Sequence, residues 1–200
     1  MSIATWSGDD TASNIGHGLG GSPELMIIKN RTGTNSWIVG VPDVLGTGYL
    51  ILNDYGVAST SNVFGQVPDS TRYYFNTAAG GNGHLSTGNY VGYFFRSIDG
   101  YQKIGGYSGD SSTVTVTTGF EPRFVMIKRT NTTAADWILY DQVRSGGTDM
   151  DDYMTPNSTL AEQQNSAIDI TAIPTGFTVE SGNWQGVNIL GGEYIYLAIA

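Results

Sequence analysis

Cysteine is absent from the 200 residues. That excludes a disulfide scaffold, a thiolate zinc site and a cysteine nucleophile. Positive charge is scarce, with 9 Lys and Arg against 18 Asp and Glu and a net charge of −9. The nine cations are scattered, so no nucleic-acid surface is expected, because displacing counterions needs clustered cations. No apolar run approaches the ~18 residues of a membrane-spanning helix, and no membrane partner is expected. The opening MSIATWSGDD has neither a cationic region nor an apolar core, so no secretory signal is expected there.

Glycine and aromatic residues are plentiful. The chain has 28 Gly, is 40% hydrophobic and is 12% aromatic. Roughly twice the ~7% average glycine usage points to many tight turns, and the aromatic content is enough to build a core.

The halves resemble each other. TWSGDD (5–10) recurs as GYSGDS (106–111), pairing Trp6 with Tyr107. GLGGSPELMIIKNRTGTNSWIV (18–39) recurs as TGFEPRFVMIKRTNTTAADWIL (118–139), pairing Pro23 with Pro122, Lys29 with Lys128 and Trp37 with Trp137. Asn53 then stands opposite Asn157, and Tyr90 opposite Tyr194. Such repetition at a near-constant spacing is the signature of a duplicated module. The boundaries read as β repeat 1 over residues 1–98 and β repeat 2 over 99–200, packed as two units or as one interlocked sandwich.

The local pattern is β throughout. LMIIK (25–29) and FVMIKR (124–129) read as central strands covered on both faces, and TVTVTT (113–118) alternates like a strand with one buried face. The only helical expectation is a turn or two in STLAEQQNSA (158–167). The fold class is all-β, a β-sandwich or jelly-roll-like architecture built from two related halves of about 100 residues. Trp37, Trp137, Tyr90 and Tyr194 are the expected core anchors, since large aromatics dominate small β cores. Lys29 and Lys128 each end a strand, where a solvated end is expected, with an ion pair across the repeat as the alternative.

Chemistry-bearing residues are few, and no catalytic residue is assigned. Asp9, Asp10 and Asp110 sit in SGDD and SGDS, which read as turns because Asp bonds its own backbone. Asp149, Asp151 and Asp152 form an acidic run in GGTDMDDYMTPN (146–157). It reads as a solvated loop, with Ca²⁺ binding as the alternative, although the EF-hand spacing is missing. No other cofactor is expected. His17 and His84 are the two histidines; no G-x-S-x-G elbow accompanies them. Trp6, Trp184, Tyr73 and Tyr74 are the candidates for exposed aromatics that would stack on a glycan.

The paired blocks also carry a family resemblance. NIGHGLGGSPELMIIKNRTGTNSWIVG (14–40), the Asp141 and Arg144 of D-x-x-R, the Pro156, Asn157, Ala161 and Glu162 of PNSTLAE, and the closing GFTVESGNWQGVNILGGEYIYLAIA (176–200) match in order. In this the chain resembles a tandem-repeat domain-of-unknown-function family of tailed-phage virion proteins, fibre and head-associated proteins found mainly in phages of aquatic bacteria. His84 departs from it, standing where the second half has Asn188. The resemblance implies a non-enzymatic structural protein of the virion surface, synthesised in the host cytoplasm. A capsid decoration (cement) protein is the leading expectation. Its partners would be the major capsid protein or other virion proteins, and it would be a homo-oligomer, a trimer being one arrangement. The alternatives are a tail-fibre module recognising a host glycan and, less favoured, a polysaccharide depolymerase.

Overall fold

A computed structural model describes residues 1–9, 11, 13–76, 87–132, 134–164, 170–181 and 186–200. They form antiparallel sheets and two four-residue helices, so the protein is nearly all β. No helix among the described residues is long and apolar enough to cross a membrane. The chain divides into two compact units. The first is Met1–Asn53 with Ala58–Arg96, and the second is Asp54–Val57 with Ser97–Ala200.

The first unit contains β1 (Ser2–Gly8), β2 (Ser13–Gly16), β3 (Leu25–Asn30), β4 (Ile38–Gly40), helix α1 (Pro42–Leu45), β5 (Leu50–Ile51), β6 (Arg72–Phe75) and β7 (Gly88–Phe95). Five strands make one sheet in the order β1-β7-β3-β4-β5, and β2 pairs with β6 separately. Tyr73 and Phe75 of β6 share a buried core with Met26, Ile28 and Ile38 of β3 and β4, Tyr90 and Phe94 of β7, and Phe64.

The second unit contains β8 (Gln102–Ser108), β9 (Val114–Thr117), β10 (Phe124–Arg129), β11 (Trp137–Asp141), α2 (Gln142–Ser145), β12 (Asp152–Met154), β13 (Gln163–Gln164), β14 (Ile170–Ile173), β15 (Gly176–Val179) and β16 (Glu193–Ile199). Its main sheet runs β8-β16-β10-β11-β12-β13, and β14-β15-β9 form a three-stranded sheet. Phe177 and Val179 of β15 share a core with Val116, Val125, Ile127, Ile138, Tyr140 and Tyr196.

The strand order of the first sheet reappears in the second, which adds β13 at one edge. The registers agree as well. Trp6 pairs with Tyr90 and Tyr107 with Tyr194; Ile28 pairs with Ile38 and Ile127 with Ile138. In the smaller sheets, Ile15 opposes Tyr73 and Val116 opposes Phe177. A one-residue slip would turn every core side chain outward, so a buried face holds such registers firmly.

The apolar runs explain the central strands. β3 and β10 each have a neighbour on both sides, and Val125, Met126, Ile127 and Lys128 are all buried. In β9 the alternation holds, with Val116 buried and Thr115 and Thr117 exposed.

The helical expectation needs correction. The described part of 158–167 is irregular loop and β13, and the helices among the described residues are α1 and α2. Pro42 starts α1 with its fixed φ. Asp141 caps α2, its carboxylate accepting from the amides of Val143 at 2.8 Å and Arg144 at 3.2 Å. Each is a single turn without an apolar stripe, so periodicity does not reveal it.

Candidate functional site

The aromatic candidates separate into two groups. Tyr73 is fully buried, which corrects its expected exposure. β6 alternates, and Tyr73 and Phe75 take the core side while Tyr74 takes the other. Trp6 is half-buried and stacks on Tyr90, with centroids 5.5 Å apart and an interplanar angle of 12°. Its counterpart Tyr107 stacks on Tyr194 at 4.7 Å, so both rings cover the rim of a core. Tyr74 is half-buried. Trp184 and His84 lie outside the described residues, as does Asp10.

Of the core anchors, Trp137, Tyr90 and Tyr194 are buried. Trp37 is only half-buried. It stands just before β4, whereas Trp137 is the first residue of β11 and pairs with Lys128. Both tryptophans share one device at the backbone. The Trp37 amide donates to the Asn53 side chain at 2.9 Å, and the Trp137 amide donates to Asn157 at 2.8 Å. The Lys29 ammonium lies 6.0 Å from the Trp37 ring centroid and donates to the carbonyl of Asn35, a cation–π arrangement.

The acidic candidates are built into local structure. Asp149 accepts from the Thr171 hydroxyl at 3.4 Å, Met150 beside it is fully buried, Asp151 is half-buried, and Asp152 opens β12. Among the described residues no three His, Cys, Asp or Glu side chains are grouped to hold a metal ion. Asp9 accepts from the Thr11 amide and hydroxyl at 3.1 and 2.6 Å. These bonds hold its carboxyl below its ordinary range. Asp110 accepts from the Ser111 amide at 2.6 Å. His17 is buried, with Nδ1 accepting from the Leu19 amide at 3.1 Å and Nε2 3.1 Å from the Asp69 carbonyl. It locks a turn in which Gly18 and Gly20 have φ of 64° and 74°.

The blocks behind the family resemblance likewise hold the fold. Arg144 pairs with Glu162 at 2.6 Å, a surface contact of small energetic value. Asn188 is buried, accepting from the Asp110 amide at 2.7 Å and donating to the carbonyls of Ser112 and Val179 at 2.8 and 2.9 Å.

Lys128 departs most from expectation, because its side chain is fully buried and no solvated strand end exists there. Its ammonium donates to the Arg129 carbonyl at 2.7 Å and to the Tyr55 carbonyl at 3.5 Å. Burial lowers its pKa to about 8, opposed by the charges of Asp136 and Asp54. A strand-ending Lys carries no sequence signal of such burial, because the chain covering it includes Tyr55, far away in sequence.

The candidate binding surface lies on the outer side of the β2–β6 pair. A cleft of about 390 Å³ is lined by Ser13, Asn14, Gln66, Tyr74, Phe75 and Asn76, together with Gly65. Asn14 stands directly across from Tyr74. The Tyr74 hydroxyl donates to Asp69 at 2.6 Å, and the Gln66 side chain bonds the same hydroxyl. Together with three backbone and side-chain donors from Thr71 and Arg72, that bond holds the Asp69 carboxyl far below its usual range. A second cleft of about 240 Å³ lies beside Trp6, with Arg31 and Asn89 among its walls.

A family model described as Domain of unknown function (DUF7483) matches residues 1–200. No curated protein and no solved structure matches the chain.

Proposed function

The chain belongs to that family of unknown function, and from this premise we propose that it is a non-enzymatic structural protein of a tailed-phage particle, built from two duplicated, sandwich-like β units. It sits on the particle surface as a capsid decoration (cement) protein. The observation that carries the reading is the repeated strand order and register. Two stiff units of one design supply two related contact surfaces to a symmetric lattice, where binding depends on shape and edge pairing. The resemblance of its ordered sequence blocks to those of a tailed-phage virion family supports the phage assignment. A net charge of −9 suits an outward-facing component, since it would be repelled by packaged DNA. The partners are the major capsid protein or other virion proteins, with a homo-oligomer at the lattice.

Particles assembled without the protein test this reading. They should lose resistance to heat and osmotic shock while still adsorbing to host cells. Density for the chain on the tail of the intact particle, or lost adsorption with unchanged head stability, would overturn cementing. That outcome would favour the tail-fibre reading, to which the Tyr74 cleft lends a specific observation.

A further inference from the structure

The Tyr74 cleft has the chemistry of a sugar site. Tyr74 offers an aromatic ring on the outer side of β6, while Tyr73 and Phe75 take the core side. Aromatic faces stack on the C–H faces of pyranose rings, because both surfaces are flat and weakly polar. Asn14, Gln66 and Ser13, all exposed, surround that ring with amide and hydroxyl groups. An amide presents donor and acceptor together, which suits the neighbouring hydroxyls of a sugar. Among the described residues none that lines the cleft is charged, so the cleft suits a neutral ligand. The volume of about 390 Å³ falls within the ~300–1,000 Å³ typical of small-molecule pockets. The Asp69 bond fixes the Tyr74 side chain, so little ordering entropy remains to be lost on binding.

The second unit supplies an internal contrast. At the positions matching Asn14 and Tyr74 it carries Thr115 and Thr178, which pair across β9 and β15. At these matched positions the aromatic platform is present in the first unit and replaced by threonine in the second.

We propose that this cleft is a subsite for a neutral saccharide unit, with Tyr74 as the stacking platform and Asn14 and Gln66 as its polar contacts. The proposal goes beyond the structural role above and does not depend on where the protein sits in a particle. It is read on the isolated chain, so its failure leaves the decoration reading standing.

The test is an NMR titration of the full chain with glucose, galactose, N-acetylglucosamine and their short oligomers, with glucuronic acid as the charged comparison. Saturable shifts centred on Tyr74, Asn14 and Gln66 are expected, with dissociation constants on the order of 1 mM. Tyr74→Ala should weaken binding roughly tenfold, by loss of the stacking surface. Gln66→Ala, at an exposed position, should weaken it roughly threefold. Thr178→Ala should change nothing. No saturable shift with any neutral sugar would overturn the proposal, as would tightest binding of glucuronic acid or unchanged affinity in both cleft variants.

Discussion

At the residue scale, several side chains have environments opposite to those their type suggests. Tyr73 is an aromatic with a polar tip, a natural choice for a binding surface, yet it is fully buried and its hydroxyl has no hydrogen-bond partner among the described residues. Burying an unpartnered hydroxyl costs free energy. The corresponding position in the second unit is Phe177, which has the same ring without that cost. Tyr73→Phe should therefore leave stability unchanged or raise it by up to about 1 kcal/mol. The urea midpoint checks this, and a fall of the midpoint would show that the hydroxyl does find a partner. Burial of this kind is invisible in the dipeptide Tyr73-Tyr74, because strand alternation says that one of the two is inside but not which.

At the element scale, the paired blocks of sequence turn into matching devices. Asn53 and Asn157 each accept from the backbone amide of a tryptophan, Trp37 just before β4 and Trp137 at the start of β11, the fourth strand of each unit. The two braces differ in depth. Asn157 also donates to the Asp136 carboxylate at 2.6 Å, and Trp137 is buried where Trp37 is half-exposed. Asn157→Ala should cost about 2 kcal/mol and Asn53→Ala about 0.5–1 kcal/mol, because losing a partner costs most where water cannot replace it. Thermal melts of the two variants check the ordering. The strands themselves were legible from apolar runs and alternation. The short helices were not, since one turn capped by Asp141 or opened by Pro42 leaves no period to detect. The candidate site was partly legible. Tyr74 stands out as an aromatic, but Gln66 and Asn14 are unremarkable until β2 and β6 pair.

At the scale of the whole molecule, buried titratable groups make stability depend on pH in two opposing ways. Lys128 titrates at about 8 in the folded protein against 10.5 ordinarily. Between those values the unfolded chain holds a proton that the folded one lacks, so stability rises with pH. Tyr73, Tyr107 and Tyr194 are pushed above their ordinary 10.0 by burial. Above that pH the unfolded chain loses protons that the folded one keeps, so stability falls. A maximum near pH 10 is expected, with a gain of about 2 kcal/mol from pH 8 arising from Lys128. Chemical denaturation across pH 7–11 reads the curve, and Lys128→Met should flatten its rising limb while leaving the fall. A rising limb unchanged in that variant would assign the gain to other groups.

The amino-acid sequence by itself determined that the protein is β-rich, which apolar runs form central strands, and that its halves run parallel in order. Those properties are local, set by alternation, turn residues and repeated spacing. The tertiary structure alone decided which neighbour covers each side chain. It buried Lys128 beneath a chain segment that includes Tyr55, put Tyr73 inside and Tyr74 outside, and joined Asn14 to Gln66 around one cleft. Each of these rests on contacts between residues distant in the chain. Such contacts follow from strand pairing and packing, and no window of neighbouring residues contains them.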